Sequence, residues 1–566
     1  MEILIKNGYV YDPMNNIKGD VMDIAIKDGK IVEPSEIDLQ RAKVIDAKGK
    51  VVMPGGIDIH AHVAGPKVNS GRIMMLNDHY RSFMKLVPGR RRSGTGKYTP
   101  STYITGYRYA RMGWTTVIEP ASPPLKTRHT HEELNDIPIV DKACLILMDS
   151  NRIILNYLDN KDYEGCKEFI LWLLEAVKGY GVKLVDPGTA VLWSWGRGYG
   201  LDVDDPVEPY SLTPRDIVEG LCRVNLELGL PHPLHVHCNK LGIPGNCETT
   251  LKTMDAVSRL SSDKVILHIT HVQFNAYLGG NWYDLGTGSE KIAKYVNTHK
   301  HVSLDMGQID FGTATTMTAD APFEYALFHM ARWKWLGTDV EAEAAAGIVP
   351  YKYRRRNFVN ALQWCIGLEI ALLVEDPWRV MITTDHPNGA PFTRYPKIMT
   401  LLMSKRFREE VMKKLNRRAL RKAILPSIDR EYDLYEIAVM TRAAPAKLLG
   451  LERTKGHLGI GADADVAIYD INPKELDPSR DYEKYLKAFK RAEYTIKSGE
   501  IVVMKGEVVN EVYGKTFYVK AKTKLEEEIY GEVEKFFREW YTVELQNYII
   551  AEHELRNPQP IYVGGA

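Results

Sequence analysis

The sequence predicts an α/β protein: a (β/α)₈, TIM-like barrel carrying a small β-sandwich assembled from the two ends of the chain. Three observations predict it. Between about residues 53 and 448, strand-like apolar runs (TTVIEP, VKLVDPG, LHVHC, VILHITHV, VSLDMG, VMITTDH) alternate with longer helical patterns, the signature of repeated βα units and a parallel sheet. Six or more such units in one stretch favour a closed barrel over an open sheet. Both flanks of this region show short alternating strands broken by glycine turns.

Residues 1–52 read as short strands, with ILIKNGYVYD turning at Asn7-Gly8 and IAIKDGKIVE at Asp28-Gly29, dipeptides that tolerate the positive φ of a type I′ hairpin. Residues 53–448 form the barrel. Two long inserts interrupt its rhythm, residues 64–100 after the first strand and WSWGRGYGLDVDDP after VKLVDPG, and such loops at the carboxyl ends of barrel strands carry substrate recognition. The strand texture returns in residues 449–510, where Gly499 and Gly506 separate alternating runs, so the two flanks are expected to share one sandwich. In residues 511–566 the stretch KLEEEIYGEVEKFFREWYTVELQNYII repeats apolar residues at three and four, predicting a helical extension that packs on the body.

Composition excludes several classes of function. Hydrophobic residues make up 45% and charged residues 26%, a globular balance. Net charge is 74 − 73 = +1, which provides no field for nucleic acid or an anionic membrane. No export signal and no run of about 18 uninterrupted apolar residues is present, so the chain is expected in the cytoplasm. The six cysteines, Cys144, Cys166, Cys222, Cys238, Cys247 and Cys365, contain no C-x-x-C pair, which argues against an iron–sulfur cluster of its own, and no pterin site is recognisable.

Chemistry concentrates at strand ends. MPGGIDIHAH closes on His60 and His62, whose two-residue spacing on a strand points both imidazoles to one face, where they can bind one metal. GVKLVDPG brings Lys183, LHVHCNKLG brings His235 and His237, VILHITHVQF brings His268 and His271, and VMITTDHPN brings Asp385. Singly these are ordinary strand residues, since a strand lysine usually snorkels and a strand histidine is usually a hydrogen-bonded core residue. Their joint placement at successive strand ends is what counts. Imidazole with carboxylate suits zinc or a similar divalent ion. Two neighbouring dications need a bridging anion, which Lys183 supplies if its amine is carboxylated. Such a site makes a hydroxide available near neutral pH, and Asp385 is placed to take up its proton and hand it to a leaving amine.

H-x-H on the first barrel strand, Lys on the fourth, His on the fifth and sixth, Asp on the eighth, and the closing KGHLGIGADADVAIYD together resemble the amidohydrolase superfamily over residues 1 to about 510. Within it, HVAGPKVNSGR, EPASPPLKTRHTHEEL, GVKLVDPGTAVLWSWG, LHVHCNKLG and TTDHPNGAPF resemble the family of A-type components of formylmethanofuran dehydrogenases. The resemblance implies two zinc or similar divalent ions, a carboxylated Lys183, and interconversion of formate plus methanofuran with N-formylmethanofuran. It also implies partner subunits that carry a tungsten or molybdenum pterin and iron–sulfur clusters and reduce CO₂ to formate. The implied ligands are His60, His62, Lys183, His237, His271 and Asp385. His237 and His271 are taken as the residues nearer the strand ends, with His235 and His268 as the alternatives. Lys183 and Asp385 are also the catalytic residues.

Asn69 and Arg72, in the insert after strand one, and Asn239 and His386, beside ligand positions, are candidate substrate contacts. The basic run Arg90–Arg92 in the same insert is a candidate for the carboxylates of methanofuran's tail. In RHTHEEL, Thr130 with Glu133 reads as a capping box at a helix start, which favours a substrate-facing loop role for His129 and His131 over metal ligation. GRRRSGTGKY has Tyr98 where a phosphate loop requires Ser or Thr, so nucleotide binding is rejected. The rival readings are a cyclic-amide hydrolase such as a hydantoinase or dihydroorotase, the hydrolase subunit of a bacterial formyltransferase/hydrolase complex, and a metal-free scaffold.

Overall fold

A computed structural model of the chain describes residues 2–80, 94–194, 196–260, 262–337, 345–523 and 526–563, with the side chains of 526–528 excepted. The run Arg90–Arg92 lies outside the described residues.

Eight parallel strands form the barrel in chain order: Gly56–Asp58, Trp114–Ser122, Asp141–Leu147, Gly181–Val185, Leu234–His237, Leu267–Ile269, Val302–Asp305 and Val380–Met381. Each pairs with the next. The seam between the eighth and first closes through a parallel bridge of Ala61 with His386, whose carbonyl accepts His62 N–H at 2.7 Å. The fourth strand, GVKLV, is buried at every position, as expected of a parallel strand inside a ring of helices. Local chemistry fixes the helices that cover it. In Pro214–Leu228, Thr213 and Asp216 form a capping box, Pro214 opens the first turn and Gly229 leaves in the left-handed conformation.

Both chain ends enter one nine-stranded sheet. Strand Ile3–Asp12 pairs with Ile17–Lys27, Lys43–Asp46 and Val51–Pro54, and Val51–Pro54 pairs antiparallel with Val466–Tyr469. Apolar residues from both ends, among them Ile3, Ile26, Ile31, Val466 and Ile501, meet in one core. Asp28-Gly29 makes the expected tight turn, with φ of 51° and 78°. Asn7-Gly8 does not turn the chain. It lies inside the ten-residue strand Ile3–Asp12, where the register with the next strand shifts between Ile5 and Gly8. A Cβ on Gly8 would sit 2.4 Å from Val52 Cγ2, so glycine serves a close strand approach there.

The tail is more than a helix. Helix Glu526–Trp540 is flanked by strands Thr516–Ala521 and Pro558–Val563, which pair in parallel, and Thr516 pairs with Lys142 of the third barrel strand. A further insert follows the seventh strand. Strands Gly312–Thr318, Leu336–Gly337 and Gly347–Tyr353 form a small sheet with helix Ala321–Ala331, and it stands over the carboxyl end of the barrel.

Barrel, sheet and tail are bolted together by a buried ion network. Asp141, at the start of the third strand, pairs with Lys455 and with Lys497 at 2.8 Å. The two lysines also hold Asp465 at 2.6 and 2.9 Å, and Asp463 binds Lys455, Lys30 and Lys515. Both lysines and Asp141 are excluded from solvent, so each charge depends on the others for the hydration it has lost. Asp141→Ala is therefore expected to destabilise the protein by about 3 to 5 kcal/mol, the usual consequence of orphaning a buried charge. The readout is the midpoint of denaturant unfolding, and an unchanged midpoint would show the network to be energetically idle.

Candidate metal centre

The site begins with two imidazoles held by carboxylates. At the end of the first strand, Asp58 accepts His60 N–H at 3.1 Å and also Tyr109 and Tyr395 hydroxyls, which pins the backbone where the H-x-H pair emerges. Burial raises the Asp58 carboxyl to about 6. Glu119, on the second strand, accepts His62 Nδ1–H at 2.9 Å and the Val63 and Ala64 amides at 2.8 and 3.1 Å. Its carboxyl is lowered although burial opposes this, because His62 and Lys67 favour the anion. With Nδ1 donating to Glu119, His62 turns Nε2 toward Asp385, 3.4 Å away. His60 Nε2 lies 3.1 Å from the same Asp385 oxygen.

A cavity of about 680 Å³ opens above this pair, and its inner end is lined by His60, His62, Lys183, His237, His271 and Asp385. The imidazole centroids of His60 and His271 are 5.3 Å apart, and those of His237 and His271 are 4.7 Å apart. His60, His271 and Asp385 each place one ligand atom within 4.8 Å of the others. Two buried nitrogens, His237 Nε2 and His271 Nδ1, have no hydrogen-bond partner among the described residues. Asp320 comes only within 3.6 Å of His237. Unpaired buried nitrogens on lone-pair-bearing rings, beside a carboxylate, are what a divalent ion satisfies, so the residues present fit one.

His235 and His268 are deeper. In the strand register His235 sits between Lys183 and His268, opposite both, and the two histidine rings bond to protein groups rather than line the cavity. Asp305, at the end of the seventh strand, gathers this lower layer. It accepts His268 Nε2–H at 3.1 Å, the His271 amide at 2.8 Å and the Thr383 hydroxyl, and lies 3.4 Å from His60 Nδ1.

Electrostatics follow from this packing. Burial pushes the Lys183 amine down to about 7, despite nearby Asp305 and Asp385. Burial lowers His237 and, further, His271. Burial also works against the His60 cation, but Asp305 and Asp385 outweigh it and hold that ring above its ordinary value. Asp385 in turn is held well below the carboxylate range, where His271 and His60 outweigh its burial. His271 and Asp385 both have left-handed backbones, with φ of 36° and 47°. Such conformations are strained in non-glycine residues and gather at functional sites. Room for His271 comes from Gly307, where a Cβ would lie 2.2 Å from that of His271.

The four expected substrate contacts do not line the cavity. Arg72 commits its guanidinium to Val63 O, Pro100 O and Glu133, and so braces the H-x-H loop. Asn69 sits in helix Pro66–Met74. The Asn239 amide donates to Asp186 and Pro187 O. His386 accepts Phe392 N–H at 3.2 Å and packs its ring on Phe392. The capping box of RHTHEEL does not form: the helix already starts at Thr127, and Glu133 receives Gly65 N–H and Arg72 instead. His131 is buried against the Val177 and Lys178 carbonyls.

Sequence reasoning missed Glu119, Asp305 and the outer cavity. The acids lie near the ends of the strand runs TTVIEP and VSLDMG, where position alone was the available signal. The outer wall comes from the insert after strand seven and its neighbours, with Phe323, Trp333, Tyr351 and Tyr353 beside Arg332 and Arg354.

Known proteins resemble this chain in sequence and in fold. The protein FwdA of Methanocaldococcus jannaschii is 49% identical over 561 residues, 98% of this chain and 97% of its own length. The A-type component of the formyltransferase/hydrolase complex Fhc of Methylorubrum extorquens is 38% identical over 523 residues, 90% of each chain. A crystal structure of the formyltransferase/hydrolase complex of that organism, solved with methylofuran, contains a chain that superposes with a TM-score of 0.90 at 33% identity, covering 99% of this chain and 100% of that one. Residues 43–503 match the amidohydrolase family as a whole, and with the barrel and the strand-end histidines in place the chain belongs to that family.

Proposed function

We propose that this chain interconverts N-formylmethanofuran and water with formate and methanofuran, as the hydrolase subunit of a larger CO₂-reducing complex in the cytoplasm. The observation that carries the reading is a ring of imidazole, amine and carboxylate groups at the closed end of a cavity whose outer wall is aromatic and cationic. The likeness to a chain from a complex solved with methylofuran supports the choice of substrate.

In this reading His60, His62, His237, His271, Asp385 and a carboxylated Lys183 hold two zinc ions. Ions held there supply Lewis acidity, which polarises a formyl carbonyl and makes a water acidic near neutral pH. Asp385 takes the proton released as that water's oxygen joins the formyl carbon. It returns the proton to the amine nitrogen as the C–N bond breaks, leaving free methanofuran and formic acid, whose remaining proton passes to the amine or to solvent to give formate. Asn388, which donates to Asp385 Oδ1 at 2.8 Å, holds the carboxylate in place for both transfers. The aromatic wall holds the body of the substrate, and Arg332 and Arg354 meet the carboxylates of its tail.

All six cysteines are buried and unpaired, and none is grouped with another as a cluster site requires. In this reading electrons come from partner subunits carrying a tungsten or molybdenum pterin and iron–sulfur clusters. No helix among the described residues is long and apolar enough to cross a membrane.

Three outcomes test the proposal. The purified, zinc-loaded chain should hydrolyse formylmethanofuran without reducing CO₂, and Asp385→Asn should lose at least about 100-fold in kcat, the low end of what a positioned acid–base group contributes. Hydrolysis of hydantoin or dihydroorotate but not of formylmethanofuran would replace the proposed substrate. Lys183→Ala should lose bound zinc and activity together, with partial return on adding a short carboxylic acid; full zinc occupancy in that variant would remove the bridge. Because the lowered pKa leaves Lys183 neutral above about 7 and only the neutral amine attacks CO₂, carbamate on the metal-free chain should rise as pH passes upward through 7. The ¹³C signal after exposure to ¹³CO₂ reports it.

A further inference from the structure

Below the cavity, two histidines that the proposed chemistry does not use, His232 and His235, form a chain through the barrel to the ligand His60. His232 Nδ1 lies 3.1 Å from the carbonyl oxygen of Leu448. His232 Nε2 is 2.9 Å from His235 Nδ1, and His235 Nε2 is 3.0 Å from His60 Nδ1. His232 and His235 are fully excluded from solvent and His60 is 1% exposed. The chain starts at the floor of the barrel, where Tyr180, just ahead of the fourth strand, donates to Leu449 O. It ends at the cavity, where His60 Nε2 faces Asp385.

The backbone fixes the polarity at the lower end of this chain. A backbone carbonyl can accept a hydrogen bond and never donate one, so His232 carries its proton on Nδ1. Burial keeps the ring neutral, with its value pushed down to about 3. Its Nε2 must then accept, which places the proton of His235 on Nδ1. His235 Nε2 accepts in turn, which places a proton on His60 Nδ1. We propose that the Leu448 carbonyl, acting through His232 and His235, sets the tautomer of His60, so that its Nε2 presents a lone pair to the metal site.

Asp305 backs the same polarity. Its Oδ2 lies 3.4 Å from His60 Nδ1 and can also accept from it, while its other partners, His268 Nε2, the His271 amide and the Thr383 hydroxyl, are all donors. Glu119 does for His62 in one step what the Leu448 carbonyl does for His60 through two rings, since a carboxylate also accepts only. His232 and His235 are thus positioning residues for a metal ligand, reached from a carbonyl on the opposite end of the barrel.

The inference rests on the metal-centre reading and is tested on the zinc-loaded, full-length chain. Neutron diffraction after exchange into D₂O should show deuterons on Nδ1 of His232, His235 and His60. A deuteron on Nε2 of His232 or His235 would overturn the proposal. In competition with a chelator, His232→Phe should bind zinc about 10-fold more weakly, the lower end of the effect of removing a group that orients a ligand. His232→Gln, whose side-chain carbonyl can still accept from His235, should keep wild-type affinity. If His232→Gln is as weak as His232→Phe, the role is packing and the proposal falls. A wild-type chain that binds no zinc removes the metal-centre reading itself, and this inference with it.

Discussion

Strand register inside the barrel is the constraint on which the whole site depends. His235 lies opposite Lys183 on one side and His268 on the other, so three basic side chains enter the interior at one level. One step of two residues along the fifth strand lifts His237 to the cavity, above His235. A slip of one residue in any of these pairings would turn a nitrogen-bearing side chain into the helical layer and an aliphatic one into the site. The flanking residues Val182, Leu184 and Val236, buried in the apolar core around the barrel, oppose that slip with their own burial.

So many nitrogens in a dry interior are tolerable only because acids are dispersed among them. Glu119 serves the upper pair, Asp305 the lower layer and Asp385 the cavity. Each reaches the site from a different strand, so the acids enforce barrel closure as much as they neutralise charge. The strained backbones of His271 and Asp385 are of a piece with this. Each such conformation costs of order 1–3 kcal/mol and persists only where surrounding structure over-determines it. At Asp385 the seam does so, with His62 bonded to the adjacent His386 carbonyl and Asn388 bonded to the carboxylate.

The barrel, the shared terminal sheet and the six cavity-lining residues were legible because each rests on a short-range regularity. A two-residue step fixes a strand face, and a strand's carboxyl end fixes a barrel's mouth. What escaped rests on longer-range facts. Asn7-Gly8 has the composition of a turn, but a bulge needs the same backbone freedom, and only the approach of Val52 distinguishes the two. Arg72 looks like a substrate contact because of the insert that carries it, yet the carbonyls it braces are brought to it by the fold. The insert over the mouth resembles one more strand–helix–strand unit, and nothing local marks its sheet as antiparallel and outside the barrel.

The shared terminal sheet has a bearing on how the chain is made. Strand Val51–Pro54 leaves the ribosome early, but its neighbour Val466–Tyr469 follows more than 400 residues later. At about 5–20 residues per second, that is roughly 20 to 80 seconds in which an apolar strand edge waits without its mate. Long-range pairing of this kind is slow to form, and an open edge is a template for unwanted pairing. The nascent amino-terminal strands therefore need shelter during translation, either from Ile17–Lys27 folding back on Ile3–Asp12 at once or from a chaperone. The last-made strands act as the latch that ends this exposure.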